Sequence, residues 1–172
     1  MEYNFPVTRT THPKARPQDE TQLGFARFFT DHMFAMDWDE GLGWHDGRVV
    51  PHEPLLIEPA SCVLHYAQMM FEGMKAYRTA DGSIQIFRPD MNAKRMARTC
   101  ERMCIPELPE GLLTAAVRAV IKEDIDWVPK APGTALYIRP FIFGDEVSFS
   151  VLHAKHYRFL IILSPTGSYY AA

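Results

Sequence analysis

GMKAYRTADGSIQIF, residues 73–87, is the stretch on which the fold class turns. Two runs of alternating character, 73–79 and 83–87, flank Ala80-Asp81-Gly82, and an Asp-Gly pair tolerates the positive φ that a tight hairpin turn demands. Immediately downstream, Pro89 opens a helix, because its missing N–H costs nothing at the first helical position. Met96, Cys100 and Met103 then recur at helical spacing up to Pro106. A second helix is predicted from about 110 to 125, with Leu113, Ala116, Val117, Val120 and Ile121 as its apolar stripe and Pro129 and Pro132 beyond its end. Two further strands are predicted at 135–143 and 157–163, separated by an irregular stretch. Upstream, 27–38 alternates as a strand, Gly41 and Gly43 mark a turn, and His45-Asp46-Gly47 suits a second tight hairpin turn. Residues 61–70 read as a short helix with Ser61 as N-cap. Hairpins, then helices, then strands indicate an α+β fold, a mainly antiparallel sheet with a small helical layer.

The same pass divides the chain. Residues 1–22, rich in Thr, Pro, Arg and Lys, read as an extended or mobile N-terminal arm, with order beginning near Leu23. Residues 23–163 form the α+β domain, and 164–172 (SPTGSYYAA) read as the start of an interdomain linker.

With 172 residues, 47% apolar and 23% charged, the chain has ordinary globular composition and enough length to bury a core. The formal net charge of -3, with no lysine or arginine run, argues against a nucleic-acid or anionic-membrane partner. The longest aliphatic stretch, 159–163, is too short to span a bilayer, and the N-terminus lacks a secretory apolar segment, so a cytoplasmic protein is expected. Three cysteines argue against a disulfide framework; Cys100 and Cys104, four apart, read as core thiols on an apolar helix face with Met96 and Met103. No metal site is expected.

Common catalytic motifs are missing: there is no glycine-rich phosphate loop, no paired-histidine helix and no CxxC. What stands out is a density of aromatics and arginines at strand ends and turns, at His65-Tyr66, Phe71-Glu72-Gly73, Phe87-Arg88-Pro89, Arg95 and Tyr137-x-Arg139-Pro140. Apolar walls with a few aimed donors are the anatomy of a small-molecule pocket, although any single aromatic could equally be packing at a strand end.

Those residues lie in segments similar to signatures of the branched-chain amino-acid aminotransferases: LHYAQMMFEGMKAYR (64–78), IFRPDMNAKRM (86–96) and LYIRPFIFG (136–144), with FTDHM (29–33) and SPTGSYY (164–170) fitting as well. The resemblance runs from about Leu23 onward and implies the small N-terminal domain of a fold-type IV pyridoxal 5'-phosphate enzyme. Arg95 falls where that family places the arginine holding the cofactor phosphate, a task suited to a planar guanidinium. Arg98 and Arg102 lack that context and read as surface charges. Tyr66, Tyr137 and Arg139 match substrate-pocket positions, with Arg139 and Tyr66 receiving the side-chain carboxylate of glutamate. Phe25, Phe71 and Tyr169 would be further walls. Such a pocket can take leucine, isoleucine or valine and then glutamate, because the guanidinium satisfies a carboxylate that apolar walls alone would leave desolvated. Phe149 and Val151 match a stretch reaching the neighbouring subunit's site, as does Tyr66, which implies a homodimer. Here Glu146-Val147-Ser148-Phe149-Ser150-Val151 stands where a more glycine-rich run is common. His65 reads as a structural histidine.

Transamination needs a lysine amine to engage the cofactor. Of Lys14, Lys75, Lys94, Lys122, Lys130 and Lys155, none has the context of the family's cofactor lysine, which the resemblance puts in a large domain beyond residue 172. The isolated chain is therefore expected to be inactive and to bind the cofactor weakly or not at all. Two alternatives stay open: another fold-type IV enzyme, such as a D-amino-acid aminotransferase or aminodeoxychorismate lyase, and a non-catalytic module binding a carboxylate ligand or a protein.

Overall fold

The computed structural model describes residues 3–167. Within them, seven strands make one antiparallel sheet: β1 (His32–Asp39), β2 (Gly43–Pro51), β3 (Met69–Phe71), β4 (Met74–Arg78), β5 (Ile84–Ile86), β6 (Ala135–Gly144) and β7 (His156–Thr166). The helices are α1 (Cys62–Tyr66), α2 (Pro89–Met103) and α3 (Leu112–Glu123). Strand order is β2-β1-β7-β6-β4-β5, and β3 also pairs with β6. This is the α+β architecture that the sequence predicts.

Period-two alternation sorts β6 into two faces. Leu136, Ile138, Pro140 and Ile142 are buried in the main core with Phe34, Phe159, Ile161 and Leu163 of the neighbouring strands. Over that face lie α2 and α3, which contribute Met96, Cys100, Leu113, Ala116, Val117, Val120 and Ile121. Each fully buried large side chain of this set stabilises the fold by about 1.5–3 kcal/mol relative to exposure. Tyr137, Arg139 and Phe141 take the opposite face and remain half-buried.

The outer edge of β6 explains how the 69–78 segment is shaped. Pairing runs Met69↔Phe143 to Phe71↔Phe141 in β3 and resumes with Met74↔Ile138 in β4, in unchanged register. Glu72 therefore faces Pro140, whose carbonyl accepts the Glu72 N–H at 2.8 Å. Proline has no N–H to return, so this pair has half its ladder bonds and the strand is interrupted there. The interruption is a missing donor, not a bulge.

The β4–β5 hairpin forms as predicted. Asp81 accepts from the Thr79 hydroxyl at 2.5 Å, from the Ser83 N–H at 3.1 Å and from the Ser83 hydroxyl at 2.9 Å, which holds its carboxyl down at about 2. Other details depart from sequence expectation. His45-Asp46-Gly47 is no hairpin turn: β2 runs through it, and Asp46, with φ of 55°, sits where the β1–β2 register shifts between Ala35 and Asp37. A bulge and a turn use the same positive-φ chemistry, and only the partner strand decides between them. The turn lies at 40–42, before Gly43. The short helix stops at Tyr66 because Ala67 is left-handed, and the Ser61 hydroxyl bonds Asp145 Oδ1 at 2.9 Å instead of capping it. Cys100 is buried, which pushes its thiol up to about 12, but Cys104 is exposed at the helix C-cap with φ of 53°, and Met103 is also exposed.

The ends of the domain are long-range features. β7 continues through Ser164, Pro165 and Thr166, residues assigned to a linker on composition; Thr166 pairs with Ala135, and its hydroxyl bonds the Gly24 carbonyl at 2.9 Å. The described part of the arm is extended and bonded to the domain well before Leu23. Val7 bridges Val49, the Phe5 ring meets Phe34 edge-on at 4.8 Å, and the Thr10 N–H donates to His32 Nε2 at 3.0 Å while His32 Nδ1 faces buried Asp124 at 2.7 Å. Among the described residues no helix is long and apolar enough to cross a membrane.

Candidate functional site

Two clusters contain the residues singled out from the sequence. The first is built on the interrupted strand line 71–73. Alternation sends Phe71 to the outer face of the sheet beside Arg139, and the Arg139 guanidinium carbon lies 4.3 Å from the centre of the Phe71 ring. Arg139 also donates to the Tyr137 hydroxyl, from Nη2 at 2.8 Å and from Nε at 3.2 Å. Residues two apart on a strand share a face, so Tyr-x-Arg delivers hydroxyl and guanidinium to one place. Phe25 closes on Tyr137 at 5.0 Å, edge to face. Gly73 is required by this packing: a Cβ there would stand 2.5 Å from the Tyr137 hydroxyl oxygen. Among the described residues Arg139 makes no ion pair with a carboxylate, so its charge rests on an aromatic face and a neutral hydroxyl.

Between Phe71 and Gly73, Glu72 points to the other face, under α2, with its side chain 4% exposed. Its carboxylate takes Arg95 through Nε and, at 2.7 Å, through Nη2; it also accepts from Asn92 Nδ2 at 2.9 Å and from the Gly73 N–H at 3.1 Å. Burial pushes the Glu72 carboxyl up, and the bonds from Arg95, Asn92 and Gly73 outweigh it, holding the group below its ordinary value. Asn92 and Arg95 are three apart on α2 and so reach one acceptor together. Asn92 also donates to the Gly73 carbonyl at 3.2 Å, which ties the strand line to the helix. Arg95 itself stays 60% exposed. Its Nε and Nη2 are committed to Glu72, and the rest of the side chain is open to solvent.

The second cluster joins α1 to the 145–152 loop. Tyr66 donates its hydroxyl to the Phe149 carbonyl at 2.5 Å, and His65 meets the Phe149 ring edge-on at 4.9 Å. Buried Asp145 anchors this unit through Ser61 and through Arg158 Nη2 at 2.5 Å. Its outer surface is open: Tyr66 is 43% exposed, Phe149 66% and Val151 82%. Arg139 and Tyr66 thus bond different partners within one chain. Tyr169 lies outside the described residues.

Sequence reasoning points to Arg95, Arg139, Tyr137 and the Phe71-Glu72-Gly73 run, but not to Asn92 or to the way Glu72 and Gly73 join the others. That junction is legible in part, since alternation through Phe71-Glu72-Gly73 turns a carboxylate toward the helix that carries Asn92 and Arg95. Among the described residues no group of three or more His, Cys, Asp or Glu side chains is arranged to hold a metal ion.

No family model matches the chain. Its curated relatives include branched-chain-amino-acid transaminase 1 of Bacillus subtilis, 51% identical over 162 residues, covering 94% of this chain and 45% of that protein. The branched-chain-amino-acid aminotransferase of Mycobacterium tuberculosis is 48% identical over 170 residues, covering 96% of this chain and 46% of its own length. Among solved structures, the branched-chain aminotransferase from Thermoproteus uzoniensis with norvaline shares the fold with a TM-score of 0.63 at 23% identity, over 80% of this chain and 42% of that one. The T.th. branched-chain amino acid aminotransferase with pyridoxamine 5'-phosphate gives 0.51 at 24% identity, over 80% of this chain and 40% of that one. Along nearly its whole length, the chain is a relative of the branched-chain aminotransferases and spans a little under half of theirs.

Proposed function

We propose that this chain is the small N-terminal domain of a branched-chain amino-acid aminotransferase, an enzyme that moves the amino group between leucine, isoleucine or valine and 2-oxoglutarate, with glutamate as the common partner. The observation that carries this reading is the Arg139 guanidinium, lying on Phe71 and bonded to Tyr137 with no carboxylate of its own among the described residues. A cation supported by aromatic walls and lacking an anion suits a substrate carboxylate joined to an apolar side chain. Phe25, Phe71 and Tyr137 then line the apolar part, and Arg139 with the Tyr137 hydroxyl orients the charged end. Tyr66, Phe149 and Val151 form the edge offered to a second copy of the protein in a homodimer.

Pyridoxal 5'-phosphate, when bound, supplies the electron sink and the carbonyl through which an amino group passes from one substrate to the other. The residue here that fits its phosphate is Arg95, through the guanidinium edge that Glu72 leaves outward. None of the six lysines is proposed as its covalent partner; that lysine belongs to the other half of the site. Alone, the polypeptide is expected to show negligible turnover and weak affinity for the cofactor. Assay of leucine with 2-oxoglutarate, in preparations free of any full-length enzyme, tests this. Turnover by the 172-residue chain, or a visible absorbance band with pyridoxal phosphate that one lysine replacement removes, would overturn the division of labour.

A further inference from the structure

Glu72 is a buried carboxylate to which the proposed transfer assigns no part. It lies beside Arg95, and any role it has toward a ligand rests on the phosphate role of that arginine. Arginine is a long side chain with many rotamers, and one that is 60% exposed has little apolar packing to fix its direction. Glu72 has the opposite character. Its side chain is 4% exposed, its backbone N–H is bonded to Pro140, and its carboxylate is held by Asn92 and the Gly73 N–H before Arg95 is counted. A fixed acceptor that takes Nε and Nη2 together sets the plane of the guanidinium as well as its position.

We infer that Glu72 is the positioning residue for Arg95, aiming the guanidinium's outward edge at the phosphate site, with Asn92 holding the carboxylate in place. The Phe71-Glu72-Gly73 tripeptide is then a single mount for both cationic grips: Phe71 supports Arg139, Glu72 aims Arg95, and Gly73 leaves room for the Tyr137 hydroxyl. Charge alone makes the reverse prediction. A carboxylate so close to a phosphate-binding arginine repels the phosphate, so neutralising Glu72 would strengthen binding unless its chief effect is orientation.

The sign of the effect is therefore the test. Titration of the full chain with pyridoxamine 5'-phosphate, which has no aldehyde to react with lysines, is followed by NMR together with the Arg95 Nε–H signal. Gln at position 72 offers one acceptor and one donor where four N–H donors converge, so Glu72→Gln is expected to lose the slowly exchanging Arg95 signal and to bind about tenfold more weakly. A retained Arg95 signal, or binding that is unchanged or tighter, overturns the inference. Should Glu72→Gln fail to fold, Asn92→Ala leaves the Arg95–Glu72 contact untouched, and it is expected to broaden the Arg95 signal and weaken binding about two- to threefold; wild-type values for both overturn the inference equally. Failure of the phosphate reading looks different. It would appear as wild-type affinity in Arg95→Ala, and would remove the inference along with that reading.

Discussion

The two clusters of this domain are made of similar residues and are satisfied in opposite ways. Around Phe71-Glu72-Gly73, Arg95 and Asn92 are bonded to almost wholly buried Glu72 on one face of the strand line, and Arg139 is bonded or stacked to Tyr137 and Phe71, with Phe25 on Tyr137, on the other. Around Tyr66, a single hydroxyl reaches a loop carbonyl, and large apolar groups face outward. A cluster whose members hold one another in place is preorganised before any ligand arrives. An anchored but uncovered apolar edge has the character of a surface shaped to meet another one. The contrast makes the first region sensitive to small internal changes and the second tolerant of them.

The sharpest way to break the first region is Gly73→Ala. The added methyl would stand 2.5 Å from the Tyr137 hydroxyl, so the ring must move and take Arg139's acceptor with it. A loss of about 1–3 kcal/mol in urea unfolding is expected; an unchanged midpoint would mean that the close approach carries no constraint. Acid should part the two regions next. Glu72 is held below its ordinary value of 4.5, so its bonds contribute stability that is fully present above that pH and is lost as the pH falls through its lower folded value. The Arg95 Nε–H signal should disappear over that range, whereas the Tyr66–Phe149 bond has no ionised partner and meets acid only through the Asp145–Arg158 pair that anchors its loop. Loss of the Arg95 signal outside the range in which Glu72 titrates would break the assignment. The smallest effect is expected from Tyr66→Phe, which removes an exposed hydrogen bond and should shift stability by about 0.5 kcal/mol or less, leaving the Arg139 and Arg95 signals in place.

Local chemistry accounts for what could be read in advance. The Asp81-Gly82 turn, the Pro89 helix start and the stripe of α3 each depend on neighbours within a few residues, and each forms as expected. Tyr137 and Arg139 share a face by simple alternation. What escaped depends on partners far along the chain. Ser61 gives its hydroxyl to Asp145 rather than to its own helix, and Ser164-Pro165-Thr166 become strand because β6 is there to receive them. Asp46-Gly47 carries the backbone signature of a turn, yet the β1 register makes it a bulge. At the site, the arginines and Glu72 are visible as motif residues, but the bond between Glu72 and Arg95 is not, because it is fixed by Asn92 and Arg95 on a helix some twenty positions away.

Pro140 donates nothing to either arginine, yet it leaves a seam in the sheet where they meet the 69–78 line. Local opening of a native fold starts where protecting hydrogen bonds are few, so the amide protons of β3 are expected to exchange with solvent ahead of those of β4 and its hairpin.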